Sequence, residues 1–321
     1  MKPLAPLSLD LDDKWSYLKT HGNPSWRELP TYLPTVVPRI LSMLGEHGLR
    51  LTFFVVGQDA ARPEHADTFG QIASGGHEIG NHSYLHEPWL RRYGQDEVRA
   101  DLERAHQAIT IATGFSPKGF RGPGFSLSAL ALLELRRLSY VYDATVFANI
   151  LNPVGRAYYF FRSNLTRDER KERKELFGTF RGAFRPNVPF RWDLNQGDLL
   201  EVPVTTVPGL RVPFHFSYLL FLASKSESVA MTYFRSALGL CRLRRVSPSL
   251  LLHPLDFLGV EDAPELAFFP GMRVSYRRKI ELTERFIVEL MRHYRPIPIL
   301  DYVDQLQDGY GTIPRLSPSF A

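Results

Sequence analysis

Short apolar runs alternate with amphipathic helical patterns along most of this chain, and that rhythm constrains the fold more than any other feature. Leu7 to Leu11 reads as a buried strand. Leu33, Val37, Ile40, Leu41 and Leu44 then recur at helical spacing until Gly45 to Gly48 closes the helix. Leu51 to Val56, β-branched and aromatic, reads as a second strand, followed by a polar helix from about Ala60 to Ser74 and a short segment at His77 to Asn81. Val98, Leu102, Ala105 and Ile109 stripe the next helix. Lys118 to Arg121 reads as a strand ending at a Gly-Pro-Gly turn, and Ser126 to Arg137 as a helix with a good N-cap. Tyr140 to Tyr142, Leu199 to Val204 and Leu250 to Leu252 are expected as later strands, with a long helix from about Val274 to Tyr294. Strands alternating with helices argue for an α/β fold on a parallel sheet, open or closed into a barrel.

Composition narrows the class. The 321 residues are 44% hydrophobic, 12% aromatic and 23% charged, which suits one large globular domain and excludes a disordered chain. Cys241 is the single cysteine, so no internal disulfide framework exists. A net charge of +5, from 39 basic and 34 acidic residues, is mild and scattered, so no nucleic-acid partner is expected. The start, MKPLAPLSLDLDD, leaves no room for the roughly 7–15 apolar residues of a secretory signal, and the expected address is cytoplasmic.

Two stretches interrupt the rhythm and are expected to be insertions in a single domain spanning 1–321. The first, at about 149–196, holds the charge run Arg167 to Lys174, read as a solvated helix face. The second, at about 212–245, carries Phe214, Phe216, Tyr218, Leu219, Leu220, Phe221 and Leu222 and ends in Cys241-Arg-Leu-Arg-Arg. Core packing is the default for such a patch; peripheral membrane contact, at the inner face of the membrane, is the alternative.

Four constellations carry chemistry, each at the C-terminal end of an expected strand. Asp10 and Asp12 lie on the same side of the first strand, so both can face one pocket, whereas Asp12 or Asp13 could instead cap the following helix. His82 and His86, four apart in Gly80-Asn81-His82-Ser83-Tyr84-Leu85-His86, are expected on one face of a helical turn, able to share a divalent ion. With a carboxylate from Asp12 they would form a His₂Asp set with open positions, as hydrolytic sites need. Arg121 could hold a carboxylate ionised, and the turn after it could offer the Gly124 N–H to a developing oxyanion. His253 ends the Leu250-Leu251-Leu252 run, where a general acid could sit. In parallel α/β barrels the active site is assembled at that face. Separately each motif has a bland explanation; their shared placement does not.

With these motifs in this order, from Leu7 to His253, the chain resembles the polysaccharide deacetylases of the NodB-homology type. The resemblance implies a distorted (β/α)₇ barrel and metal-dependent removal of an N-acetyl or other acyl group from a carbohydrate or lipid-linked sugar precursor. It implies Asp10 as catalytic base, Asp12, His82 and His86 as metal ligands, and Ser83 at a variable hydroxyl position. Arg121 would hold the base, Gly124 would donate to the oxyanion and His253 would act as general acid. The implied cofactor is a divalent metal, Zn2+ first, with Co2+, Mn2+ or Ni2+ as alternatives. The family's arginine motif usually ends in an aromatic, which Gly124 followed by Phe125 replaces here; Trp15 and Trp89 are candidates for sugar stacking, with core packing as the default for either. The first motif departs from the family's T-F-D-D-G, so a register with Asp12 as base and Asp13 as ligand stays open. No tryptophan motif is evident around Leu199 to Val204. Two other classes stand beside this reading: a D-x-D nucleotide-sugar glycosyltransferase, and an inactive sugar-binding module.

Overall fold

The computed structural model describes residues 2–151, 180–194, 197–309 and 313–318. Ten strands occur among them: β1 (Leu4–Leu11), β2 (Thr52–Val55), β3 (Glu78–Asn81), β4 (Gly119–Phe120), β5 (Tyr142–Asp143), β6 (Phe190–Leu194), β7 (Gly197–Glu201), β8 (Leu250–Leu252), β9 (Arg295–Ile297) and β10 (Arg315–Leu316). They hydrogen-bond in the order β10-β6-β7-β5-β4-β3-β2-β1-β8, with β9 pairing the first half of β1. Within this order β1, β2, β3, β4, β5, β7 and β8 are joined by parallel pairings. The circuit closes just beyond β7, where Thr205 N–H donates to the Ser249 carbonyl at 2.9 Å and Ser249 N–H donates to Thr205 Oγ1 at 2.8 Å. The closure is one irregular contact rather than a ladder, which makes a distorted (β/α)₇ barrel. β6 runs antiparallel to β7 and extends the sheet outside the circuit.

Alternation on β1 divides the molecule. Leu7, Leu9 and Leu11 point outward and pack with Leu33, Val37 and Ile40 from the helix Leu33–Glu46 and with Phe53 and Val55 of β2. Ser8, Asp10 and Asp12 occupy the other face. Inside the barrel Phe54, Tyr142, Ala144 and Leu200 meet Ile297, Ile299 and Tyr302. The helix Ile299–Gly309 stoppers the N-terminal end of the barrel: Ile299 N–H donates to Thr52 Oγ1 at 2.8 Å and Leu300 N–H to Glu78 Oε2 at 2.9 Å. The barrel is therefore packed below and open only above.

Several expectations shift. The single helix from Ala60 to Ser74 is instead Gly57–Ala60 and Ala66–Ser74, separated by a 3₁₀ turn at Pro63–His65, because proline lacks the N–H that a continuous helix would use. The stretch 212–245 is not an interruption. Its helices Phe216–Ala223 and Glu227–Leu243 are the crossover that parallel β7 and β8 require, and Phe214, Phe216, Leu219 and Leu220 join the main core. In the other stretch, Phe190–Leu194 forms β6, while the charge run Arg167 to Lys174 lies outside the described residues. Among the described residues no helix is long and apolar enough to cross a membrane.

Candidate functional site

Strand register builds the site. Leu11 pairs with Val55, Val55 with Asn81, and Asn81 with Phe120, so Asp12, His82 and Arg121 each follow one aligned row. Leu9 pairs with Leu252, which sets Asp10 beside His253 two residues lower on the same face of β1. Residues far apart in sequence thus converge at the open end.

Asp12 Oδ1 lies 3.2 Å from His82 Nε2 and 2.9 Å from His86 Nε2. All three side chains are buried, and their ligand atoms lie within 4.8 Å of one another. Burial pushes the Asp12 carboxyl up, but His86 and His82 outweigh it and hold the group well below the usual carboxylate range. His82 Nδ1 sits 2.6 Å from the Arg121 carbonyl, a bond that an Nδ1–H would donate and that leaves Nε2 free as a ligand. One carboxylate and two imidazoles, one of them oriented from behind, fit a divalent ion with open positions.

The histidines do not share a helical turn. Residues 82–87 form a loop in which Ser83 (φ 64°) and His86 (φ 50°) adopt left-handed backbone. Asn81 Oδ1 accepts from Ser83 N–H at 2.8 Å, and Ser83 Oγ accepts from His86 N–H at 3.1 Å, so side chains replace the helical bonds. Asp101 holds the loop from the helix Gln95–Thr113 by accepting from Tyr84 N–H at 2.9 Å and Leu85 N–H at 3.0 Å. These contacts impose the strained conformation that turns His86 back toward His82.

Asp10 is held differently. Arg121 Nη1 donates to Asp10 Oδ1 and to Ser8 Oγ, both at 2.8 Å, and Arg121 Nε donates to the Ala144 carbonyl at 2.9 Å. The guanidinium lies 4.4 Å from the centre of the Phe54 ring. A buried arginine spanning three strands fixes one carboxylate beside the metal-type cluster without joining it.

Asp13 serves structure. Its Oδ1 accepts from Lys14 N–H at 2.7 Å and Tyr32 N–H at 3.0 Å, capping the helix Lys14–His21. Asp12, not Asp13, therefore stands with the two histidines, as the Asp10/Asp12 register expects. Trp15 takes the core role rather than sugar stacking: it is fully buried, and its Nε1–H donates to Asp59 Oδ1 at 2.7 Å, so no ring face is open to a sugar. Trp89 is half-buried.

Across the cleft, Arg121 leads into Pro123–Phe125, where Gly124 (φ 56°) turns left-handed and Phe125 (φ 60°) follows it. A Cβ at Gly122 would stand 2.0 Å from the Ser126 carbonyl oxygen, so this approach admits only glycine. Phe125 and Gly124 are half-buried, with the Phe147 ring 4.7 Å from that of Phe125. His253 Nδ1 is 2.9 Å from Ser217 Oγ, and Ser217 donates to Asp256 Oδ2 at 3.0 Å. The ring of His215 stands edge-on to His253 at 6.1 Å, and burial followed by the neighbouring His253 pulls His215 down to about 3, so it stays neutral. Ser217, Asp256, His215 and Asp101 were missed from sequence. Asp256, three residues past His253 across Pro254, had a local signal in the short turn; Ser217, on a distant crossover helix, had none.

The α/β barrel thus carries a His₂Asp cluster able to hold a metal ion, with a braced carboxylate and a histidine nearby. Residues 12–142 match the family model described as polysaccharide deacetylase, and the resemblance to that family is shown for this segment. Over 86 residues, 27% of this chain and 30% of the relative, it is 35% identical to a peptidoglycan-N-acetylglucosamine deacetylase of Bacillus cereus. Over 109 residues, 33% of this chain and 44% of the relative, it is 31% identical to a chitin deacetylase of Colletotrichum lindemuthianum. The chain thus spans less than half the length of these curated relatives. A crystal structure from Mycobacterium smegmatis assigned to the polysaccharide deacetylases aligns over 99% of both chains with a TM-score of 0.62 at 21% identity, which shows the shared fold.

Proposed function

We propose that this protein is a metal-dependent carbohydrate deacylase that hydrolyses an N-acetyl or other acyl amide on a sugar, free or lipid-linked. The observation that carries the reading is the Asp12–His82–His86 cluster with Arg121-braced Asp10 on the same strand face. Asp12, His82 and His86 would hold the ion, with Zn2+ proposed. When bound, it supplies Lewis-acid polarisation of the acyl carbonyl and lowers the pKa of water.

The chain's own groups account for the proton traffic. Asp10, kept in place by Arg121, takes a proton from the attacking water. The water oxygen bonds to the acyl carbon, and the Gly124 N–H would donate to the oxygen that gains charge. His253 gives a proton to the amine nitrogen as the carbon–nitrogen bond breaks. Ser217 and Asp256 hold His253 through Nδ1, which leaves Nε2 for that transfer. The glycosyltransferase alternative needs both carboxylates of Asp10-Leu11-Asp12 on a metal–diphosphate, but Asp10 is committed to Arg121.

Acetate or formate release from N-acylated sugars by metal-loaded protein tests the reading. Asp10→Asn is expected to lose at least about a hundredfold in turnover while retaining metal. Normal turnover in that variant would overturn the assignment. We further propose peripheral contact with anionic lipid at a cytoplasmic membrane face, supported by exposed Arg242, Leu243, Arg244 and Arg245 at the end of their helix. Failure to float with anionic liposomes would remove that part.

A further inference from the structure

Beside His253 the cleft continues into a cavity of about 500 Å³ whose lining includes Leu220, Phe221, Leu255, Phe269 and Pro270. An acetyl group would fill a small part of it, since cavities of roughly 300–1,000 Å³ accommodate whole drug-sized molecules. The cavity is continuous with the candidate site on two sides. His253 is one of its walls, and Tyr17, another wall, lies within electrostatic reach of Asp12.

Its lysine and its aspartate are already engaged. Lys279 Nζ donates to the Leu255 carbonyl at 2.7 Å and to the Leu258 carbonyl at 2.6 Å. Asp256 Oδ2 accepts from His253 N–H at 2.9 Å and from Ser217 Oγ at 3.0 Å. The Tyr17 ring stacks edge-on against Phe269 at 5.0 Å. A phosphate would find no free lysine or arginine among these walls. What the walls offer is hydrocarbon, with Phe221, 36% exposed, at the edge where a chain could enter.

We propose that this cavity binds an aliphatic chain carried by the substrate, so that the protein acts on sugars bearing a long apolar substituent. The inference rests on the deacylase reading and deepens it. The chain could belong to the acyl group that is removed or to the aglycone at the sugar's reducing end; both present the same methylenes to the same walls.

Two series of monomeric substrates separate these sources: methyl and octyl N-acetylglucosaminides, and methyl glucosaminides N-acylated with acetyl or octanoyl. Each buried methylene is worth roughly threefold in affinity. The octyl member of one series should therefore show a KM at least about tenfold lower than its short counterpart, with kcat little changed. Phe221→Glu should abolish that difference and leave the short substrates unaffected, whereas Phe221→Leu should preserve it. Calorimetric titration of the same four compounds reads binding directly, whether or not any is turned over. Turnover of the short substrates with no preference for octyl in either series overturns the chain site and leaves the deacylase reading standing. No turnover of any compound, with octyl binding that Phe221→Glu removes, supports the chain site and counts against the deacylase reading. Chain-independent binding overturns the chain site in every case.

Discussion

On one side of the cleft, β1, β3 and β4 present His82 at 2% exposure and Arg121 at 0%, each tied by hydrogen bonds to backbone or to another strand. On the other, His253 is half-buried on β8, anchored through one serine, and borders a cavity of about 500 Å³. The first wall is rigid because its functional groups are also the barrel's interior packing. The second is permissive because crossover helices and loops, not strands, form most of it. On the proposed function, chemistry falls where geometry is over-determined, and substrate choice where walls can vary without disturbing the barrel.

The largest effects should come from breaking the rigid wall. His82→Ala removes a ligand, so bound metal measured by mass spectrometry should fall to background and turnover by more than about a hundredfold. Arg121→Met leaves Asp10 as an uncompensated buried charge, with an expected loss of about 3–5 kcal/mol in urea unfolding. If Arg121→Met unfolds at the wild-type midpoint, the two walls do not differ in rigidity.

A middle-sized effect belongs to the permissive wall. Ser217→Ala cuts the link from His253 Nδ1 to Asp256 while leaving strands and metal ligands intact. Turnover should drop by about tenfold or more, with metal content and unfolding midpoint unchanged. A stability loss equal to that of Arg121→Met would show that this wall is as structural as the other.

The same contrast explains what was legible in the sequence. Asp10, Asp12, His82, Arg121 and His253 could be found because strand ends and period-two alternation are local properties. A parallel sheet followed from the same rhythm and its closure into a seven-stranded barrel from the family resemblance, although β4 and β5 are only two residues long and their limits were blurred. The loop carrying His86 was misjudged as helical because its geometry is imposed by Asn81, Ser83 and Asp101, whose bonds arise only once the barrel has closed. Trp15 stayed a candidate sugar platform, since nothing local reveals Asp59 waiting for its indole N–H 44 residues away. The second stretch looked like an insertion because its helix Phe216–Ala223 is apolar nearly all round, which is how a crossover helix reads when both core and cavity take its faces.

The smallest predicted effect lies behind the rigid wall and concerns pH. Burial raises the Asp13 carboxyl to about 6, and burial followed by the Asp13 charge raises Asp59 well above the usual range. A carboxyl raised on folding binds its proton more tightly in the native state, so stability falls as pH climbs from the unfolded value of about 4 toward the folded one. Asp12 shifts the other way, below its ordinary value, so its contribution is already complete above about pH 4 and does not mask this window. The urea midpoint of metal-free protein should therefore decline between about pH 4 and pH 6. Asp59→Asn keeps an oxygen to accept the Trp15 N–H and removes one of the two competing charges, so it should flatten the decline and raise the midpoint near pH 7. An unchanged slope in Asp59→Asn would mean that the two carboxyls are not coupled through burial, and that the support behind the metal-type cluster is as tolerant as the wall opposite.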